Sequence, residues 1–301
     1  MASAELTALV TQQPVKRFGV DAAVIFSDIV APLAAAGVDV QLVADVGPVF
    51  AHPIRTSADV AAMPRLADPS TSMAGLLGGI AQVAETDLVP VIGFCGGPFT
   101  LASYLVEGGP SREYTKTKAL MLGEPDVWHA LMDVLVDITT TSLLAQIDAG
   151  ASAVQIFDSW VGALDPATYR RFVMPAAARV LAAVGARNVP RIMFGVSTGE
   201  LLSSFAEAGA DVVGVDWRVP LNLARDRVGP NVAVQGNLDP AVCLAGWAAV
   251  EAAASAVLDA AGPEPGHVFN LGWGVMPATD PDVLTRLVDW VHQQPAPGAT
   301  P

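Results

Sequence analysis

Short apolar runs alternate along the chain with longer stretches in which Ala and Leu recur at helical spacing. Continuous runs that are too brief for helices are typical of strands buried on both faces of a parallel sheet. Seven such runs can be read from the sequence: Ala22–Phe26, Val89–Phe94, Ala153–Phe157, Ile192–Phe194, Val212–Val215, Val232–Val234 and His267–Leu271. Their alternation with helices, without a break in composition, predicts one α/β domain over residues 1–292.

Helical spacing and turn residues complete this outline. The predicted helices are Trp128–Ile147, Tyr169–Val184, Leu201–Ala208, Trp247–Ala261 and Pro281–His292, and a helical stretch at Ala119–Met121 leads into the first of them. The segment Val38–Phe50, which contains Gly47-Pro48, predicts a short hairpin inserted after the first strand and helix. The tail 293–301 is rich in Pro and Gly and is expected to be loosely held.

The residues that follow these strands are mostly polar or glycine. They are Ser27-Asp28, Cys95-Gly96-Gly97-Pro98, Asp158-Ser159-Trp160, Gly195 with Ser197-Thr198, Asp216-Trp217, Gln235-Gly236-Asn237 and Gly272-Trp273-Gly274. The carboxyl ends of the strands form the active-site face of a (β/α)8 TIM-type barrel. A doubly wound sheet also binds ligands there, but it usually has a Gly-x-Gly-x-x-Gly turn after its first strand, which this sequence lacks. A barrel is therefore favoured, although only seven of its eight strands are visible.

Composition and charge narrow the class of protein. The chain has 301 residues, of which 52% are hydrophobic and 15% charged, and this suits a compact fold with a large core. The net charge of −14 disfavours nucleic acid and anionic membranes as partners. No apolar stretch reads as long enough to span a bilayer, and residues 1–13 do not resemble a signal peptide. The two cysteines, Cys95 and Cys243, form no Cys-x-x-Cys motif, so free thiols in a reducing cytoplasm are expected.

Longer motifs surround several of the strand ends. They are Gln13-Pro14-Val15, residues 17–23 (RFGVDAA), Phe26-Ser27-Asp28-Ile29-Val30, Ile92-Gly93-Phe94, residues 98–109 (PFTLASYLVEGG), Gln155-Ile156-Phe157-Asp158-Ser159, residues 213–217 (VGVDW), residues 235–240 (QGNLDP) and Asn270-Leu271-Gly272. Taken together, in this order and at this spacing, they resemble the uroporphyrinogen decarboxylase family in the form found in high-GC bacteria. The resemblance extends over nearly the whole chain.

The resemblance implies a (β/α)8 barrel that removes the carboxylate groups of acetate side chains from a cyclic tetrapyrrole. This family uses no metal and no organic cofactor, and it acts as a homodimer. By resemblance, Asp28 is the central catalytic residue, because a carboxylate at the barrel mouth can accept several pyrrole N–H hydrogen bonds. Tyr104 and Ser159 match the other polar site residues of the family. Phe157 and the turn from Phe94 through Gly96 and Gly97 are expected to form an apolar wall against the macrocycle.

Two departures from the family pattern bear on function. The family begins several dozen residues earlier, with a barrel strand and an Arg-containing loop that binds substrate carboxylates, so the barrel is expected to lack the family's first strand. Arg112, Arg170 and Arg171 remain, and the last two are expected on a solvated helix face. The last strand of the family normally reads Asn-Leu-Gly-His-Gly, whereas Trp273 stands here in place of the histidine. An indole donates a hydrogen bond but cannot accept one, and Trp273 would fill part of the substrate pocket.

Simpler structural roles remain open for the same residues. Asp28 could cap the helix that follows it, Tyr104 could be a half-buried core residue, and Ser159 could be a local cap. Gly108-Gly109 is expected to stop a helix, and Cys95 to fill space in the core.

The alternatives for function also differ in class. One is a paralogue that acts on a smaller pyrrole- or indole-like acid, and another is a non-catalytic relative that has kept the barrel. A cobamide-dependent thiol methyltransferase of the same fold needs His-x-Cys and a distant Cys to bind zinc, and it is disfavoured because residues 194–198 provide neither His nor Cys at the strand end.

Overall fold

Seven parallel strands form one continuous sheet in the computed structural model, which describes residues 3–295. The strands of the sheet are β1 (Ala23–Val24), β4 (Val91–Gly96), β5 (Ala153–Phe157), β6 (Arg191–Phe194), β7 (Val212–Gly214), β8 (Ala233–Leu238) and β9 (His267–Leu271), and they neighbour one another in this order. A separate antiparallel hairpin consists of β2 (Val40–Val43) and β3 (Gly47–Phe50). All seven predicted strands and the predicted hairpin are confirmed.

Helices connect the successive strands. They are α1 (Ala4–Phe18), α2 (Ala31–Ala36), α3 (Ser57–Ala61), α4 (Pro69–Ser72), α5 (Ala74–Ala84), α6 (Pro98–Glu107), α7 (Thr115–Gly123), α8 (Pro125–Asp148), α9 (Pro166–Phe172), α10 (Met174–Gly185), α11 (Leu202–Glu207), α12 (Leu221–Val228), α13 (Trp247–Ala261) and α14 (Pro281–His292), with short 3₁₀ turns at Val161–Ala163, Gly199–Leu201 and Pro240–Leu244. This strand–helix alternation gives every strand the same direction, so that all the strand carboxyl ends lie on one face.

The two ends of the sheet lie close to each other. Helices α1 and α14 are in contact, and His292 Nε2 lies 3.0 Å from an Asp21 carboxylate oxygen. A parallel sheet whose first and last helices touch must be curled, as in a TIM-type barrel. Within residues 3–295, β1 and β9 do not pair with each other. Val24 and Val268 on these two edge strands are accordingly about half exposed, at 47% and 50%.

The longest helix, α8, corrects one expectation drawn from the sequence. It has 24 residues and a window of mean hydropathy 1.4, so by length and composition alone it could cross a bilayer. Its apolar side chains are instead largely inside the fold, where Leu131 and Leu135 are fully buried. The indole N–H of Trp128 donates to the carbonyl of Phe172 at 2.8 Å. A core helix passes the same test as a membrane span, and these contacts account for the apolar composition of α8.

The predicted helix over residues 169–184 is wrong in one respect. The structure has two helices there, α9 and α10, which meet at Val173. Pro175 lies in the first turn of α10, where its missing N–H and fixed φ angle favour a new helix start over continuation of α9. Helices α1 to α5, which lie before residue 85, were not anticipated individually.

Candidate active site

Asp28 lies in the turn between β1 and α2, at the carboxyl end of the sheet. One carboxylate oxygen accepts the backbone N–H of Val30 at 2.9 Å. The bond closes a tight turn just before α2, whose N-cap residue is Val30 and has no side-chain capping bond, so Asp28 does not cap that helix. This bond fixes the turn but engages only one of the two oxygens. The carbonyl of Ile29 accepts the N–H of Gly96 at 3.0 Å, which ties the Asp28 turn to the end of the neighbouring strand β4.

Tyr104 lies on α6, the helix that follows β4, and its side chain is 8% exposed. Burial, the nearby Asp28 carboxylate and then Tyr114 raise the pKa of Tyr104 to about 12. The two predicted catalytic residues therefore lie close enough to interact electrostatically. Because its pKa lies far above neutral, Tyr104 remains a hydrogen-bond donor in the physiological pH range.

Aromatic rings line the carboxyl ends of the next strands. Phe157 packs edge-on against Phe94 at 5.3 Å between ring centroids, and against Phe194 at 6.0 Å. The ring of Trp273 stacks on Phe194 at 6.1 Å with an interplanar angle of 28°. This aromatic row (Phe94, Phe157, Phe194 and Trp273) extends from β4 to the loop after β9. Phe194 was not anticipated as part of the wall, although it ends its strand just as Phe157 does.

The remaining predicted site residues take different positions. Ser159 is half-buried in the turn after β5, and its carbonyl accepts the N–H of Val196 at 3.4 Å. Gly96 meets the Asp28 turn. Gly97 packs against Asp158, where a Cβ added to Gly97 would lie 2.4 Å from the Asp158 Cβ. Gly97 is thus placed where the backbone must approach a neighbouring strand, and no larger residue fits without movement.

Sequence reasoning missed Asp158 as a residue in its own right. Its carboxylate has no solvent exposure, and burial raises its pKa to about 6 although hydrogen bonds from Thr100 and Phe99 oppose the shift. It accepts the hydroxyl of Thr100 at 2.7 Å and the N–H of Thr100 at 2.8 Å. The signals in the sequence are a carboxylate directly after a buried strand and its place in the motif Gln155-Ile156-Phe157-Asp158-Ser159, and neither indicates partners 58 and 59 residues away.

A cavity of about 350 Å³ lies between the loops after β6 and β7. It is lined by Ser197, Gly199, Glu200, Asp216, Arg218, Val219, Pro220, Leu223 and Arg227, and it contains none of the predicted site residues. Its two arginines are paired, Arg218 with the buried Asp216 at 3.0 Å and Arg227 with Glu200 at 3.1 Å. Within residues 3–295 no group of three His, Cys, Asp or Glu side chains is arranged to hold a metal ion.

Comparison with known proteins adds independent information. A family model described as uroporphyrinogen decarboxylase matches residues 1–294. The chain is 60% identical over 290 residues to the uroporphyrinogen decarboxylase of Streptomyces coelicolor, which covers 96% of this chain and 81% of that protein. It is 57% identical over 298 residues to the protein of the same name from Mycobacterium tuberculosis, covering 94% of this chain and 83% of the relative.

Solved structures support the fold. A methyltransferase from Methanosarcina mazei superposes with a TM-score of 0.81 at 21% identity, over 96% of this chain and 86% of that one. A B12-independent methionine synthase from a Shewanella species superposes with a TM-score of 0.64 at 12% identity, over 96% and 88% of the two chains. At these identities the likeness establishes the shared architecture alone.

Proposed function

Because the chain belongs to the uroporphyrinogen decarboxylase family, we propose that it removes the four acetate carboxylates of uroporphyrinogen III to give coproporphyrinogen III, a step of haem biosynthesis. The observation that carries this proposal is the identity of 60% over 290 residues to a relative with that name. The arrangement of Asp28, Tyr104 and the aromatic row at one end of the sheet is consistent with it.

The chemistry can proceed without a cofactor. Protonation of a pyrrole at its α-carbon creates an iminium-like group, and loss of CO₂ from the adjacent acetate sends the bonding electron pair into it. Protonation of the resulting methylene gives a methyl group, and the α-proton is then released. Each turnover therefore consumes one proton and releases one CO₂. The protein must bind the macrocycle, stabilise its positive charge and deliver a proton.

We assign the stabilising role to Asp28. One of its oxygens is held by the N–H of Val30, and this leaves the other oxygen to accept pyrrole N–H groups. A fixed carboxylate also favours the protonated, cationic pyrrole over the neutral pyrrole ring of the bound substrate, which is the difference that accelerates a reaction. Tyr104, a donor beside Asp28, would bind a substrate carboxylate. Ser159 would add a second donor, and Phe94, Phe157 and Trp273 would contact the faces of the rings.

Trp273 favours a second candidate, a paralogue that decarboxylates a smaller pyrrole- or indole-like acid. Trp273 is 43% exposed and its ring is stacked on Phe194, so it forms the exposed end of the aromatic row. A smaller planar acid would need less space beside this end.

An anaerobic assay separates these possibilities. The protein is incubated with uroporphyrinogen III, and the products are resolved by the number of remaining carboxylates. Products with seven to four carboxylates are expected. If only the smaller pyrrole or indole acids lose CO₂, the paralogue is the correct assignment, and if no acid reacts, the chain is a non-catalytic relative.

The proposal also covers the cellular compartment and the oligomeric state of the enzyme. We propose a cytoplasmic enzyme that acts as a homodimer with a small-molecule tetrapyrrole substrate. Cys95 and Cys243 are both buried as free thiols, which is compatible with a reducing compartment. Sedimentation equilibrium of the purified protein tests the dimer, since a single species of about 31.0 kDa would contradict it.

A further inference from the structure

A buried hydrogen-bond chain connects the end of β5 to the first turn of α6. The Asp158 carboxylate accepts two backbone N–H groups at that turn, from Thr100 at 2.8 Å and from Phe99 at 3.4 Å. It also accepts the Thr100 hydroxyl at 2.7 Å. Gly97 permits this close approach of the two elements. The helix that carries Tyr104 is thus anchored to a neighbouring strand and not capped by its own sequence.

The Thr100 hydroxyl makes a second bond in the opposite direction. Because its single hydrogen is donated to Asp158, its oxygen is free to accept, and the backbone N–H of Trp160 donates to it at 3.1 Å. Asp158 and Trp160 are two residues apart, so this pair of bonds closes the turn after β5 against α6. The Thr100 hydroxyl is therefore a direct polar link between the Trp160 backbone and α6.

Trp160 in turn packs against Tyr104. Their ring centroids are 4.1 Å apart. The Trp160 ring also packs against Tyr114, with 5.2 Å between the ring centroids. Thr100 and Tyr104 are four residues apart on α6, hence on the same helix face. Trp160 therefore contacts one face of α6 twice, through its backbone N–H at the Thr100 hydroxyl and through its ring at Tyr104.

We infer that Asp158 and Thr100 are positioning residues, which hold Trp160 against Tyr104 so that the tyrosine hydroxyl is aimed at the substrate. This inference rests on the proposed decarboxylation for its consequence in catalysis. Its structural part, that the Thr100 hydroxyl sets the geometry of the Trp160 and Tyr104 rings, does not depend on the substrate.

Thr100→Val removes the hydroxyl and keeps the shape of the side chain. Thr139→Val is the matched control, because Thr139 is also fully buried on a helix and its hydroxyl has no hydrogen-bond partner in the described part of the chain. Asp158→Asn is a second variant that retains shape and removes the charge. Circular dichroism and thermal melting establish that each variant is folded before comparison.

The first readout needs no substrate. The chain has three tyrosines, and ¹⁹F NMR of protein labelled with 3-fluorotyrosine resolves them, with assignment by Tyr→Phe variants. Thr100→Val is expected to shift the resonances of Tyr104 and Tyr114, which contact Trp160. The resonance of Tyr169, which packs on Phe205 and interacts with Asp158 only through its charge, is expected to shift less than those two. Unchanged Tyr104 and Tyr114 resonances in the folded variant would overturn the inference.

The second readout is kinetic. Thr100→Val is expected to lower kcat by about tenfold to a hundredfold, because small displacements of a reacting group cost that much, with little change in KM. In a Tyr104→Phe background the same substitution should lower kcat no further, whereas a purely structural role would give additive losses. If the parent protein lacks decarboxylase activity, the proposed function fails, and the NMR readout still decides the positioning role.

Discussion

The Asp28 carboxylate lies near enough to Tyr104 to contribute to the raised pKa of its phenol, which is about 12. These two residues come from different strand–helix units, one after β1 and the other after β4. They lie near each other because both units place their polar residues at the carboxyl end of the sheet. The pairing of a fixed acceptor with a persistent donor is the core of the proposed site.

Tyr104→Phe removes that donor with little change in volume. We expect kcat to fall by about tenfold to a hundredfold, the equivalent of a hydrogen bond to a charged group. Tyr169→Phe is the matched control, since the buried Tyr169 hydroxyl has no hydrogen-bond partner among residues 3–295. Steady-state kinetics with uroporphyrinogen should show a loss in the first variant and none in the second. Equal kcat values for the Tyr104→Phe and Tyr169→Phe variants would show that the Tyr104 hydroxyl has no role in catalysis.

Gly97→Ala is expected to destabilise the protein. The added Cβ would lie 2.4 Å from the Asp158 Cβ, and overpacking of this kind costs about 1–3 kcal/mol in the free energy of unfolding. Gly123→Ala is the control, because a Cβ at this end of α7 meets nothing within 4 Å. Urea denaturation should show a lower midpoint for Gly97→Ala only. An unchanged midpoint would contradict the close contact between the β4 turn and Asp158.

Much of the fold could be predicted from the sequence, because buried parallel strands are short uninterrupted apolar runs. The end of β8 could not. The sequence suggested that it stops at Val234, since polar residues follow, but the strand continues to Leu238. Gln235 is nevertheless buried, and its amide donates to Gln155 at 3.3 Å. Because the hydrogen-bond partner of Gln235 is 80 positions away in the sequence, the local pattern of residues does not indicate that Gln235 is buried.

The same reasoning applies to the candidate site. Asp28 and Tyr104 were accessible through motifs that resemble a known family. Asp158 lies in one of these motifs too, but its role could not be predicted, because its hydrogen-bond partners are distant in sequence. The Phe194–Trp273 stack likewise depends on the curl of the sheet, which brings β6 near the loop after β9.

The ion pair between Arg191 and Asp211 predicts a pH dependence of stability. Hydrogen bonds from the Arg191 side chain lower the pKa of Asp211 below its usual value of 3.8. A carboxyl group with a lowered folded-state pKa stabilises the protein above its unfolded pKa, and this contribution is lost as the pH falls through the folded value. Asp211→Asn should therefore cost about 1 kcal/mol at pH 7 and progressively less below pH 4.

Denaturation of wild type and variant at several pH values checks this prediction. Asp148→Asn breaks the exposed pair with Arg187, in which the Asp148 side chain is 55% exposed, and it should cost less at pH 7. A penalty for Asp211→Asn that persists at acidic pH would show that the ion pair is not its source.

Trp273→His tests whether the indole restricts the size of the substrate that can enter the site. The stack with Phe194 is worth about 0.5–1.5 kcal/mol, so a modest loss of stability is expected. If Trp273 narrows the mouth, kcat/KM for uroporphyrinogen should rise, because imidazole is smaller and can also accept a hydrogen bond. Trp247→His on α13, where the indole N–H donates to Glu251, is the control. A lower kcat/KM for Trp273→His would show that the contact of the indole with the substrate rings outweighs the space that it occupies.

The most direct test of the account compares wild type and Asp28→Asn with uroporphyrinogen III under anaerobic conditions. The amide keeps the size of the side chain and an oxygen for the Val30 N–H, but it removes the negative charge. We expect wild type to form coproporphyrinogen III and the variant to be slower by about a hundredfold or more, the usual cost of losing one preorganised electrostatic contact. Asp21→Asn, which alters the exposed pair with His292, should behave as wild type. Absence of product with wild type, or an undiminished rate with Asp28→Asn, would contradict the account.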